Sequence, residues 1–127
     1  MPVREAMQEH GPLSRGAFAV VVLLSLAVLF APADDVPSAP PGVDKVVHVA
    51  LFAALALTGR WAGIEAKALG AGLVCYAALS EVLQSVTPLQ RSGSVADWLA
   101  DVVGVLVGLL CWQWLARRHG RSQDRLA

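Results

Sequence analysis

The sequence predicts an all-α polytopic membrane protein, a bundle of four transmembrane helices with both termini in the cytoplasm. Three observations carry this expectation. The 127 residues are 56% hydrophobic and 16% charged, with a mean hydropathy of +0.58, values typical of chains that have the bilayer as solvent. The apolar residues fall into four runs separated by Pro, Gly and charge. Lys and Arg are distributed unevenly among the connections between those runs.

The first span is expected at about 17–33 and the second at about 44–62, both somewhat short for a hydrocarbon core of about 30 Å, which takes about 20 helical residues. Interfacial flanks extend them. The third, at about 66–86, and the fourth, at about 95–115, are full length, and residues 116–127 read as a basic cytoplasmic tail. All four belong to a single membrane domain covering 1–127. Between the first two spans lies PADDVPSAPPGVD, whose Pro content breaks a helix and whose Asp residues favour water. Arg60 to Lys67 forms a short turn, and Thr87 to Ser94, with Pro88 and Gly93, forms the last loop.

Basic residues in short loops orient such a chain. With the N-terminus inside, Arg4, Arg15, Arg60, Lys67, Arg117, Arg118, Arg121 and Arg125 lie on the cytoplasmic side, against Lys45 and Arg91 outside. The expected location is the cell membrane, multi-pass. A competing reading makes the first span a cleaved secretory signal, because Arg4 and Arg15 precede an apolar stretch ending in Ala31-Pro32-Ala33. Either way Asp44 stays outside.

Ten basic and ten acidic residues balance, so composition offers no footprint for nucleic acid. Cys75 and Cys111 have neither CxxC spacing nor a ligand-rich neighbourhood and read as small buried hydrophobes.

The informative residues are polar ones placed at the outer ends of spans. Asp44, Lys45 and His48 open the second, Glu81 and Gln84 close the third, Arg91 lies in the outer loop, and Asp97 and Asp101 open the fourth. Helical spacing puts Asp97, Asp101, Gly104 and Gly108 on one stripe, with the two glycines forming a GxxxG-type packing contact. Gly70, Val74, Ala77, Glu81 and Gln84 line up on the third helix, and Lys45, His48, Phe52, Leu55 and Gly59 on the second. Three helices thus present polar groups at similar depth on their packing faces. An unpaired charge at mid-helix costs about 2.5 to 3.5 kcal/mol on insertion scales, so Glu81 should be protonated or paired with Lys45, His48 or Arg91. Each residue also has a plain structural reading: Asp44 as a helix cap, Asp97 as a first-turn acid, Arg91 as a solvated charge, and His48 and Gln84 as interhelical hydrogen bonders. Trp98 reads as an interfacial anchor or a stacking platform.

The order Asp44-Lys45-x-x-His48, Glu81-x-x-Gln84, Arg91 and Asp97-x-x-x-Asp101-x-x-Gly104 resembles the VanZ-like family of small integral membrane proteins, over the chain from about Asp44 to Gly108. One position departs from the family pattern, which usually has Asn where this chain has Asp101. The resemblance implies a family named for low-level resistance to teicoplanin, with molecular activity generally unassigned.

The expected function is therefore binding or modulation of a lipid-linked or amphipathic anionic ligand of the cell envelope. Asp44, Lys45, His48, Glu81, Gln84, Arg91, Asp97 and Asp101 form its site, and Lys45, Arg91 and His48 supply positive charge. The competing class is a membrane enzyme acting on a lipid-linked phosphate or ester, with His48 and Glu81 as acid-base candidates. A divalent-metal variant on His48, Glu81, Asp97 and Asp101 lacks close motif spacing, so neither a metal nor a cofactor is expected. A third reading is a structural subunit that recruits a membrane partner or a second copy of itself.

Overall fold

The computed structural model describes residues 11–31, 40, 42–86 and 94–126, and all of its regular structure is helical. Among the described residues four helices follow in order: α1 (Pro12–Leu29), α2 (Val43–Trp61), α3 (Ala66–Val86) and α4 (Val95–Leu126). α1, α3 and the Val95–Arg121 portion of α4 are long and apolar enough to cross a membrane. α2 has the length but carries Asp44, Lys45 and Arg60 at its ends.

Two boundaries differ from the sequence expectation. α1 begins five residues early because Pro12 suits the first helical position, and Arg15 N–H and Ser14 Oγ both bond the Gly11 carbonyl. It ends at Leu29, whereas residues 32–33 of the expected span, with the last two positions of the Ala31-Pro32-Ala33 pattern, lie outside the described residues. The supposed tail is also helical, since α4 runs unbroken to Leu126. Its Ala, Arg, Gln and Leu content favours helix. Across one turn the Arg118 guanidinium lies 4.0 Å from the centre of the Trp114 ring.

The α2–α3 turn is built from local chemistry. Gly63 takes a positive φ of 94° just past the end of α2, where a left-handed residue lets trailing amides return to the last helical carbonyls. Ile64 N–H bonds the Gly59 carbonyl at 3.0 Å, and the Glu65 carboxylate accepts from Lys67 N–H and Ala68 N–H to start α3.

α2 packs against each of the other helices, most extensively against α4. The core joins Leu29, Phe52, Leu55, Ala56, Leu69, Leu73, Ala77 and Val105, with the Phe52 and Tyr76 rings 5.8 Å apart. Tyr76 OH meets Ser25 Oγ at 3.0 Å, which satisfies both hydroxyls and ties α3 to α1. Large apolar side chains such as Leu23, Leu24, Val82, Leu106 and Leu110 point outward, as they would toward lipid. Cys75 and Cys111 are also exposed on this outer surface and unpaired, not buried as expected. A lipid-facing surface accepts a small thiol as readily as a core does, so apolar context in the sequence does not distinguish the two.

The α2–α4 seam is set by glycine. A Cβ on Gly104 would stand 2.5 Å from the Val49 carbonyl oxygen, and one on Gly108 would stand 2.6 Å from the Ala53 carbonyl oxygen and the Ala56 Cβ. Both helices run in the same direction here, so residues of α2 meet those about 52 positions later along α4. Gly108→Val should therefore push the helices apart and lower the melting temperature in detergent, at a cost of about 1–3 kcal/mol. Gly72→Ala, where a Cβ meets nothing within 4 Å, should leave it unchanged or raised.

Candidate functional site

The end of α1, the start of α2, the end of α3 and the start of α4 come together at one end of the bundle. The seam spacing sets two polar pairs across α2 and α4. Lys45 Nζ bonds Asp97 Oδ1 and lies 3.3 Å from Asp44 Oδ2. One turn deeper, His48 Nδ1 and Asp101 Oδ1 are 2.7 Å apart, with Asp101 wholly buried and His48 nearly so. His48 Nε2 faces Asp44 Oδ1 at 3.8 Å.

α3 contributes from the side. Gln84 donates to the Leu29 carbonyl, closing one of the last backbone acceptors of α1 inside the bundle. Glu81 is only 7% exposed; its Oε2 accepts from the Ser94 backbone N–H at 2.8 Å. Among the described residues two carboxylate oxygens are buried without a hydrogen-bond partner, Glu81 Oε1 and Asp101 Oδ2. A buried unsatisfied acceptor is costly, so these two mark where the cluster is incomplete by itself.

The helix start beside them is locally specified. Ser94 caps α4 by accepting from Asp97 N–H at 3.3 Å, while its own N–H holds Glu81. Ser94, the last residue of the expected loop, is thus the cap of α4, and Ser followed three residues later by an acid before an apolar run is a helix-start signature. The Leu29 carbonyl was missed, since a backbone acceptor leaves no mark in a sequence.

Asp44, Lys45, His48, Glu81, Gln84, Asp97 and Asp101 thus converge on one bundle end, while Arg91 lies outside the described residues. Lys45 is engaged by two carboxylates instead of standing free for an anion. Gly104 and Gly108 continue the stripe toward the middle of the bundle.

Beside the cluster a cavity of about 250 Å³ opens between α3 and α4, walled by Ala78, Val82, Ser85, Val95 and Trp98, with Glu81 also lining it. The lining is predominantly apolar. Trp98 leans onto α3, its Nε1 3.4 Å from the Val74 carbonyl, so its ring forms a wall of the groove. Among the described residues two donor sets have metal-ligand proximity, Asp44 with His48 and Asp97, and His48 with Glu81 and Asp101; in each, the ligand atoms lie within 4.8 Å of one another.

A helical bundle with an apolar outer surface and an ionic cluster gathered at one end defines a small integral membrane protein with a polar end site. The chain belongs to the VanZ/LLP1 family, whose model matches residues 15–116. That match takes in most of α1 as well as the polar positions. No curated protein and no solved structure matches the chain.

The buried His48–Asp101 pair yields a stability prediction. Asp101→Ala removes the acceptor facing Nδ1 and should cost about 1–3 kcal/mol. Asp101→Asn keeps an acceptor and should cost less, a ranking that thermal unfolding in detergent measures directly.

Proposed function

We propose that this VanZ-family protein binds the polar head of a lipid-linked or amphipathic envelope ligand at the outer end of its bundle, with the apolar part of the ligand in the α3–α4 groove. The observation that carries the reading is the position of Glu81, which belongs at once to the polar cluster and to a predominantly apolar groove wall. A site that joins the two environments matches a molecule with both. The four carboxylates of Asp44, Glu81, Asp97 and Asp101 outnumber the positive groups of Lys45 and His48, so an anionic head requires added positive charge, from Arg91 or from a cation that arrives with it.

In this reading all four helices span the cell membrane. α2, with 19 residues, is about 28 Å long at 1.5 Å per residue, and its charges fall at its two ends. The Lys and Arg distribution puts both termini in the cytoplasm and the polar cluster outside. A C-terminal green fluorescent protein fusion should then fluoresce, and a C-terminal alkaline phosphatase fusion should be inactive.

Mass spectrometry of lipids retained by purified protein tests the binding itself. Wild type should hold a defined lipid species that Trp98→Ala and Glu81→Gln lose by about 10-fold, the effect of removing interactions worth about 1.4 kcal/mol. Tolerance to teicoplanin-type antibiotics, which the family resemblance suggests, should fall with the same variants while the protein stays in the membrane. Equal lipid content in all three proteins would argue against the groove.

One observation favours a second reading, a membrane enzyme. The His48–Asp101 contact of 2.7 Å is the arrangement of a base held in place by a carboxylate, next to a Glu81 oxygen with no partner. In that case His48→Gln abolishes hydrolysis of a lipid-linked phosphate or ester without changing lipid retention.

A further inference from the structure

We infer that His48, Glu81 and Asp101 hold a divalent metal ion, and that this ion gives the bundle end its affinity for an anionic head. The inference deepens the head-group reading and rests on it only for what the ion does there; occupancy stands on its own observations.

A ring nitrogen of His48 and one carboxylate oxygen each of Glu81 and Asp101 lie within 4.8 Å of one another. Donors around one ion with bonds of about 2.0–2.2 Å stand about 3–4 Å apart, so small rotamer adjustments close the shell. The second observation is independent of that proximity. Glu81 Oε1 and Asp101 Oδ2 are buried and unpartnered, on side chains 7% and 0% exposed. Buried polar groups that the protein leaves unsatisfied call for a ligand, and two such oxygens on the carboxylates that cluster with His48 call for a cation.

The neighbouring set of Asp44, His48 and Asp97 is the weaker choice. Asp97 Oδ1 is taken by Lys45, and the Asp44 side chain is 56% exposed. Both orphan oxygens belong to the inner set. One imidazole with two carboxylates suits a first-row divalent ion such as Mn²⁺ or Zn²⁺ better than Ca²⁺, which prefers an all-oxygen shell. Three protein donors leave coordination positions open. A phosphate or carboxylate oxygen of a ligand head can take one of them, at a cluster whose own charge would otherwise repel it.

The test uses the full chain in phosphatidylethanolamine–phosphatidylglycerol nanodiscs, stripped with a chelator and titrated with Mn²⁺ alone under electron paramagnetic resonance. Wild type should bind about one Mn²⁺ per chain and show hyperfine coupling to an imidazole nitrogen, as the mixed donor set requires. His48→Gln should lose the nitrogen coupling, Glu81→Gln and Asp101→Asn should weaken binding by about 10-fold or more, and Asp44→Asn should bind as wild type does. Wild type that binds no better than Asp101→Asn, or that binds without nitrogen coupling, overturns the inference. So does an Asp44→Asn variant that loses the ion as fully as Asp101→Asn. The nitrogen coupling is read on wild type and needs no variant to fold. Lipid retained by the same proteins purified in detergent separates the two readings: a defined lipid species without metal sinks the ion alone, and metal without that species leaves the ion and sinks both the head-group site and the ion's role in it.

Discussion

The close approach of α2 and α4 is the constraint on which the rest depends. Gly104 and Gly108 leave no room for a Cβ against the backbone of Val49 and Ala53, and that contact fixes the axial register of two parallel helices. The same register, continued toward the helix starts, puts Lys45 opposite Asp97 and His48 opposite Asp101. A shift by one residue would rotate these carboxylates off the seam. Packing and ion pairing are therefore one geometric fact, and neither could change without the other.

Among the described helices, α2 is the one without a stretch apolar enough to count as a membrane span, and its position needs lipid least. It touches all three neighbours, so its inward face is covered by protein along His48, Phe52, Leu55, Ala56 and Gly59. The ionisable residues concentrate where four helix ends meet. There the unsatisfied backbone groups of those ends share polar partners with side chains, as Gln84 does for the Leu29 carbonyl and Ser94 for Glu81 and Asp97. Among the described residues, the buried side-chain oxygens left unsatisfied are one each on Glu81 and Asp101, both within this cluster.

Much of this was legible from residues alone. The α3 limits and the meeting of the polar residues at one bundle end follow from helical spacing, because an acid or amide inside an apolar run has few tolerable places to face, although lower on α3 it is Leu69 and Leu73, not Gly70 and Val74, that are buried. The helical form of the basic tail and the exposure of the cysteines were not legible, for a shared reason. Charge density marks where the bilayer stops but not where a helix stops, and apolar context marks an absence of water but not whether protein or lipid replaces it.

The sequence by itself determined the all-helical membrane class and which polar residues lie near helix ends, since hydropathy and spacing are local properties of the chain. Only the tertiary structure decided which charges meet. Lys45 proved committed to Asp97 and Asp44, His48 was drawn to Asp101, and Glu81 was left half-satisfied at the edge of an apolar groove. Those assignments depend on helix rotation and axial offset, set by glycine contacts between segments about fifty residues apart. No local pattern encodes an offset of that kind.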